Sequence, residues 1–282
     1  MDNIISVVYH YCSIETFKNI LKSKVLWLSD LTDSNDNQEV IRTFVNLWDN
    51  VKRKLLTTDL SEDVLNDVIQ MIDSQYKTEL LCDPPYGICF CKNEDILSQW
   101  KEYGDNTKGV SLGFDLSWFE RNGIKQQMPH PNSIQSKSIG YEKVVYHSSE
   151  FEQRMAELCY EIIKCKGTEA WITYIRPTFK RYSGFVKNPT FAQEDEIRLV
   201  YYPLEDQSFS VKDIDVSDLK TCVKKHYEIP WITSSSQALK SICIGNNCEL
   251  TKEDIRKLLI DMGINVNIDI TESQCSYRIR NN

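Results

Sequence analysis

The chain has 282 residues, 41% of them hydrophobic and 11% aromatic, a composition that supports a packed core and argues against disorder. A net charge of −8 with a pI near 5.2 disfavours indiscriminate duplex binding, although a local basic groove remains compatible with it. No apolar run approaches a membrane span, and Met1-Asp2-Asn3 opens no charged-then-apolar leader, so a cytoplasmic protein without membrane contact is expected. The ten cysteines are scattered and read as reduced core thiols. Cys89-Phe90-Cys91 lacks zinc spacing, and no metal is predicted.

Taken in order, residues 7–12 are rich in β-branched and aromatic side chains and read as a strand. Ser13 is a competent N-cap for a helix whose Ile14, Phe17, Ile20 and Leu21 share one face. A short strand at 25–28 runs into Ser29 to Asn37, where Ser and Asx side chains favour turns. Two helices follow, one patterned by Val40, Ile41, Phe44, Val45, Trp48 and Val51, the other by Val64, Leu65, Val68, Ile69 and Ile72. Pro84-Pro85 ends that region.

Residues 86–91 read as a buried strand, 93–104 as a short helix closed by glycine, and 108–114 and 138–146 as strands. Two prolines, a glycine and many amides make 121–137 a loop. The stretch from Ser149 to about Phe185 is helical and double, broken near Lys166-Gly167. The tail offers strands at 222–223 and 242–244, a helix near 251–262 and a strand before Tyr277. The expected layout is one α+β domain over 1–282, built on a single mixed or antiparallel sheet, with helical insertions near 37–82 and 149–187.

The segment 191–202 concentrates charge on an apolar strand. Alternation puts Glu194, Glu196 and Arg198 on one face, with Asp195, Ile197 and Leu199 on the other. Three charged groups on one side of such a strand need solvent, partners or a ligand. The plainer reading is a surface ion pair between Glu196 and Arg198.

Several separated motifs resemble the DUF2971 family. They are Tyr9-His10-Tyr11-Cys12-Ser13, Leu26-Trp27-Leu28-Ser29-Asp30, Asn35-Asp36, Ser98-Gln99-Trp100 with Tyr103-Gly104, Gly109-Val110 to Phe114-Asp115, and Glu194 to Arg198. Members of that family are bacterial proteins of mostly unassigned activity, some encoded near antiphage defence genes. Asn37 stands where proline is usual, and Ile197 where tryptophan is usual; neither change removes a charged or imidazole group. More loosely, an early strand carrying His, central aromatics and a late strand carrying Glu look like the His-Tyr-Glu arrangement of ADP-ribosyltransferases, and Glu194-Asp195-Glu196 is similar to their Glu-x-Glu segment.

That similarity implies the ADP-ribosyltransferase fold and NAD as substrate. Cleaving the nicotinamide–ribose bond passes through an oxocarbenium-like state, which a nearby carboxylate stabilises. The resemblance assigns Glu196 to that task and Glu194 to the incoming nucleophile, with His10 on the adenosine ribose. Tyr103 or Trp100 would stack on the nicotinamide. Arg198 would pair with Glu196 or meet a phosphate, and Tyr11, Ser29, Asp30, Asn35, Asp36 and Gln99 would complete the pocket. The acceptor would be a protein or nucleic acid, in a toxin or defence effector with a possible defence-system partner protein.

Each residue also has a plainer role. A strand His between tyrosines is commonly a satisfied core group, Trp100 and Tyr103 suit a helix core face, and Ser29-Asp30 and Asn35-Asp36 are good turn and cap residues. Two other functions fit the same residues. One is a metal-dependent nuclease or phosphodiesterase using Asp30, Asp36, Glu194, Glu196 and His10. The other is a non-catalytic sensor or interaction module.

Overall fold

A computed structural model of the chain describes residues 6–34, 39–82, 84–126, 139–146, 148–170, 174–203, 211–213 and 225–277. The first half runs β1 (Val7–Cys12), α1 (Ile14–Ser23), β2 (Val25–Asp30), a 3-10 turn (Leu31–Asp33), α2 (Glu39–Leu55), α3 (Glu62–Cys82), β3 (Tyr86–Cys91), α4 (Leu97–Glu102), β4 (Val110–Asp115) and α5 (Leu116–Arg121). Then come β5 (Lys125–Gln126), β6 (Ile139–Lys143), β7 (Val145–Tyr146), α6 (Ser149–Lys166), α7 (Arg176–Ser183), β8 (Val186–Lys187) and a 3-10 segment (Pro189–Glu194). The chain continues through β9 (Glu196–Tyr201), β10 (Val211–Asp213), β11 (Lys225–Pro230), β12 (Leu239–Ile244), α8 (Lys252–Asp261) and β13 (Asp269–Glu272).

Local chemistry accounts for many boundaries. Ser13 caps α1 as expected, its Oγ accepting the Thr16 N–H, and Ser148 does the same for α6 through Phe151. Thr251 and Asp254 form a reciprocal capping box at the start of α8. Asp115 ends β4 and caps α5, accepting from the Ser117 N–H and hydroxyl. That short helix is absent from the sequence-based expectation, which stopped at the strand. The single strand expected at 138–146 is two: the chain turns off the sheet at Val144, whose N–H donates to the Glu196 carbonyl. Strands β10 and β11 were also unexpected, and the strand expected at 222–223 lies outside the described residues.

The result is a mixed α+β fold. Among the described residues, eleven strands form one sheet in which most neighbours are antiparallel and the β12–β13 and β5–β6 pairs are parallel. Its main path is β10-β11-β2-β3-β1-β4-β12-β13, and the branch β9-β6-β5 leaves it at β3. Strand β9 pairs with β3 along all six residues, from Tyr86↔Tyr201 to Cys91↔Glu196, and so occupies one edge of it. Strands β1 and β2 divide the opposite edge, β1 at Tyr9↔Cys91 and β2 at Ser29↔Gly87 and Asp30↔Tyr86. The sheet therefore forks, and the middle of β3 lies between two diverging neighbours.

Both faces are covered. Phe17 and Leu21 of α1, Leu116 and Phe119 of α5, and Ile255 and Leu259 of α8 pack with Ile197, Leu199 and Tyr201 on one side. On the other, the two helical insertions meet each other: Trp48 and Val51 of α2, Val68 of α3, Cys159 of α6 and Phe179 of α7 share a core with Val200 and Tyr202. A third cluster, Tyr11, Cys91, Trp100 and Cys243, sits under α4. Strand β9 is thus buried on both faces, which explains its run of Ile, Leu, Val and Tyr.

The turn between α4 and β4 is held by close backbone approach. A Cβ on Gly109 would lie 2.0 Å from the Cys12 carbonyl oxygen, and one on Gly245 would lie 2.1 Å from that of Thr107. Gly109→Ala is expected to destabilise the fold by about 3 kcal/mol, the upper end of overpacking costs, as measured by urea denaturation.

Candidate active site

The fork at β3 opens a hollow lined by Tyr9, His10 and Tyr11 of β1, Cys89, Phe90 and Cys91 of β3, Gln99 of α4, Tyr103, Glu194 and Glu196. Six residues singled out from the sequence, His10, Tyr11, Gln99, Tyr103, Glu194 and Glu196, meet there across more than 180 residues of chain.

His10 fills the gap where β1 leaves β3. Its Nδ1–H donates to the Cys89 carbonyl at 3.0 Å, replacing a backbone ladder bond, and Phe90 packs edge-on against the ring. Burial lowers its pKa below the usual imidazole value, against the opposing pull of that hydrogen bond. The ring is neutral at neutral pH, with Nδ1 protonated and Nε2 an acceptor.

The acids come from the start of β9. Glu194 does not lie on the strand, as simple alternation predicted: it ends the 3-10 segment, and Asp195 follows in the left-handed region at φ 42°. The two glutamates are joined all the same, because the Lys187 ammonium donates to Glu194 Oε2 at 2.6 Å and to Glu196 Oε2 at 3.1 Å. Arg198 grips Glu196 with two bonds, Nε to Oε1 at 2.5 Å and Nη2 to Oε2 at 3.0 Å, and its Nη1 donates to the Gly184 carbonyl at the end of α7. Asp195 turns away to Lys92 and Lys143, each at 2.9 Å.

Glu196 is only 3% exposed and Arg198 wholly buried. The expected surface ion pair is a buried one. Burial alone would push the Glu196 carboxyl up. The Arg198 charge and hydrogen bonds, then Lys187 and the Cys89 thiol, outweigh it and bring the pKa from 4.5 down to about 2. Lys187 carries no motif of its own, and only the fold shows its place between the two acids. Tyr103 completes this wall, its hydroxyl 3.4 Å from Glu194 Oε1 and its pKa raised by burial and by that carboxylate.

Several expected site residues lie elsewhere. Trp100 is wholly buried, stacked edge-on with Tyr11 and donating its indole N–H to Asp95, so its ring is not available to stack on a ligand. Arg198 is committed to Glu196 and Gly184 and does not reach a phosphate position at the surface. Ser29 is paired in the sheet with Gly87 and His226, and Asp30 caps the 3-10 turn by accepting from Thr32, so neither lines the hollow. Asn35 and Asp36 lie outside the described residues. Of the described cysteines, Cys12, Cys91, Cys159 and Cys243 are buried free thiols as expected, whereas Cys89 and Cys165 are exposed.

Residues 99–199 match a family model described as "Protein of unknown function (DUF2971)", a stretch that carries Gln99, Tyr103, Lys187, Glu194, Glu196 and Arg198. This supports the family resemblance read from the motifs. No curated protein and no solved structure matches the chain.

The ion network makes an acid-sensitive element. The Glu196 carboxyl ionises more readily folded than unfolded, so its stabilisation is fully present above about pH 4.5 and is lost as the pH falls toward 2. Urea titrations across that window are expected to show roughly 3 kcal/mol of stability lost through this group. A flat profile between those pH values would contradict the buried pairing.

Proposed function

We propose that this chain is an NAD-consuming enzyme of the ADP-ribosyltransferase kind, cleaving the nicotinamide–ribose bond at the hollow beneath the β3 fork. The observation that supports this most is the convergence of His10, Tyr103, Glu194 and Glu196, from three separated segments, on one hollow with Glu196 held ionised. A carboxylate fixed in place needs no reorganisation as positive charge develops on the ribose, and fixed charges of this kind stabilise the transition state more than the ground state.

In this reading Glu196 faces the anomeric carbon. Glu194 accepts the proton of the attacking hydroxyl or water, its position set by Lys187. His10 Nε2 accepts from a ribose hydroxyl, and Tyr103 supplies a face for the nicotinamide ring. The enclosed part of the hollow is small, about 60 Å³, and its mouth is open, so in this reading the nicotinamide ring enters edge-first and the ribose and the rest of the dinucleotide lie across the rim. The protein or nucleic-acid acceptor, and the part such a modification would play in a defence effector or toxin, belong to the same proposal.

One observation favours a second reading. Both oxygens of Glu196 are already engaged by cations, so the network is satisfied without any ligand and would equally serve a non-catalytic binding module. Nicotinamide release from NAD decides between them. The enzyme reading expects turnover that falls about 100- to 1000-fold in Glu196→Gln and in the milder Glu194→Gln, with circular dichroism confirming the fold. Full turnover in Glu196→Gln would overturn the mechanism. Absence of nicotinamide release from the unaltered chain, with NAD still bound, would leave the module.

A further inference from the structure

Gln99 is the polar group at the hollow that this chemistry leaves without a task. It lies on α4 one turn before Tyr103, is only 7% exposed, and lines the hollow. Its backbone carbonyl accepts from the Tyr103 and Gly104 N–H groups at 2.9 and 3.1 Å. Its side-chain amide has no hydrogen-bond partner among the described residues. The other buried polar groups of this wall are paired: Lys187 and Arg198 with the glutamates, Tyr11 with Asn93 and Ile96, Trp100 with Asp95. Gln99 is not among the fully buried unpaired polar atoms, so its amide opens onto the hollow, where a ligand or water can meet it.

A primary amide presents an acceptor oxygen and an N–H donor in one plane. The matching ligand edge also carries one donor and one acceptor side by side. The rings of Tyr9, Tyr11, Phe90 and Tyr103 also line the hollow and suit a flat ligand. Glu194 and Glu196 line the same space, each already bonded to Lys187 or Arg198.

Resting on the NAD reading, we infer that Gln99 determines specificity by pairing with the carboxamide of the nicotinamide ring, through two antiparallel N–H···O bonds. A nicotinate ring fails because it lacks the amide donor and leaves the Gln99 oxygen unpaired. An adenine edge carries the same donor–acceptor pair and is the competing occupant.

Ligand-observed NMR titration of the unaltered full chain with nicotinamide, nicotinic acid and adenosine tests this directly. Nicotinamide is expected to bind at least about tenfold more tightly than either of the others, since a site built to bond an amide rejects ligands that leave it unpaired. Gln99→Met is expected to remove that preference, and Gln99→Glu to weaken nicotinamide binding by a similar factor. Equal binding of nicotinamide and nicotinic acid overturns the inference, as does preferential binding of adenosine. These comparisons need no variant, so they stand even where a substitution at this buried position fails to fold. Nicotinamide binding that depends on Gln99 in a chain that leaves NAD intact would keep the inference and sink the reaction. NAD cleavage with unchanged KM in folded Gln99→Met would do the reverse.

Discussion

A strand has two hydrogen-bonding edges, and β3 serves three neighbours with them. Strand β9 takes one edge along its whole length, while β1 and β2 share the other from opposite ends. Between those two contacts the β3 backbone still needs partners, because a carbonyl left unbonded inside a protein is unfavourable. The His10 imidazole meets that need at Cys89. The hollow is the space created where the strands part, and its floor is the edge of β3 itself.

The same geometry puts the start of β9 beside that opening. Because β9 is covered on both faces, Glu196 and Arg198 enter the protein interior with it. Desolvating them is tolerable only because each oxygen of Glu196 meets a cationic donor and Arg198 spends a further N–H on Gly184. The network ties three elements: β9, the end of α7 and β8 through Lys187. It links the forked sheet to the helical layer formed where the two insertions pack together.

Charge balance within the network also bears on chemistry. Two acids and two cations share one wall, so the hollow is polar without being strongly anionic, and its other walls are aromatic. His10 is kept neutral by burial, which makes it a hydrogen-bonding group for a hydroxyl rather than a fixed charge. Gln99 stands apart from this balance, a neutral amide lining the same space.

The linear pattern was enough to read many of the elements. β-Branched and aromatic richness marked the strand at 7–12, a continuous apolar run marked 86–91, and 3.6-residue periodicity marked the paired helices from 149 onward. Ser13 announced its helix because capping is a contact between residues three apart. Clusters of His, aromatic and acidic residues at element ends pointed to His10, Tyr103, Glu194 and Glu196, and the family motif added Gln99. Their meeting could not be read, because it depends on strand pairings between residues about 80 to 115 positions apart. Trp100 and Tyr103 have the same helical spacing, yet packing against Tyr11 buries one and leaves the other at the hollow. Lys187 has no local signal at all. Sequence alone determined many of the strands and helices and which residue types carry chemistry, since those follow from short-range periodicity and side-chain character. Only the tertiary structure decided that β3 is shared three ways, and so which of those groups face one another, because that choice is made by long-range strand pairing.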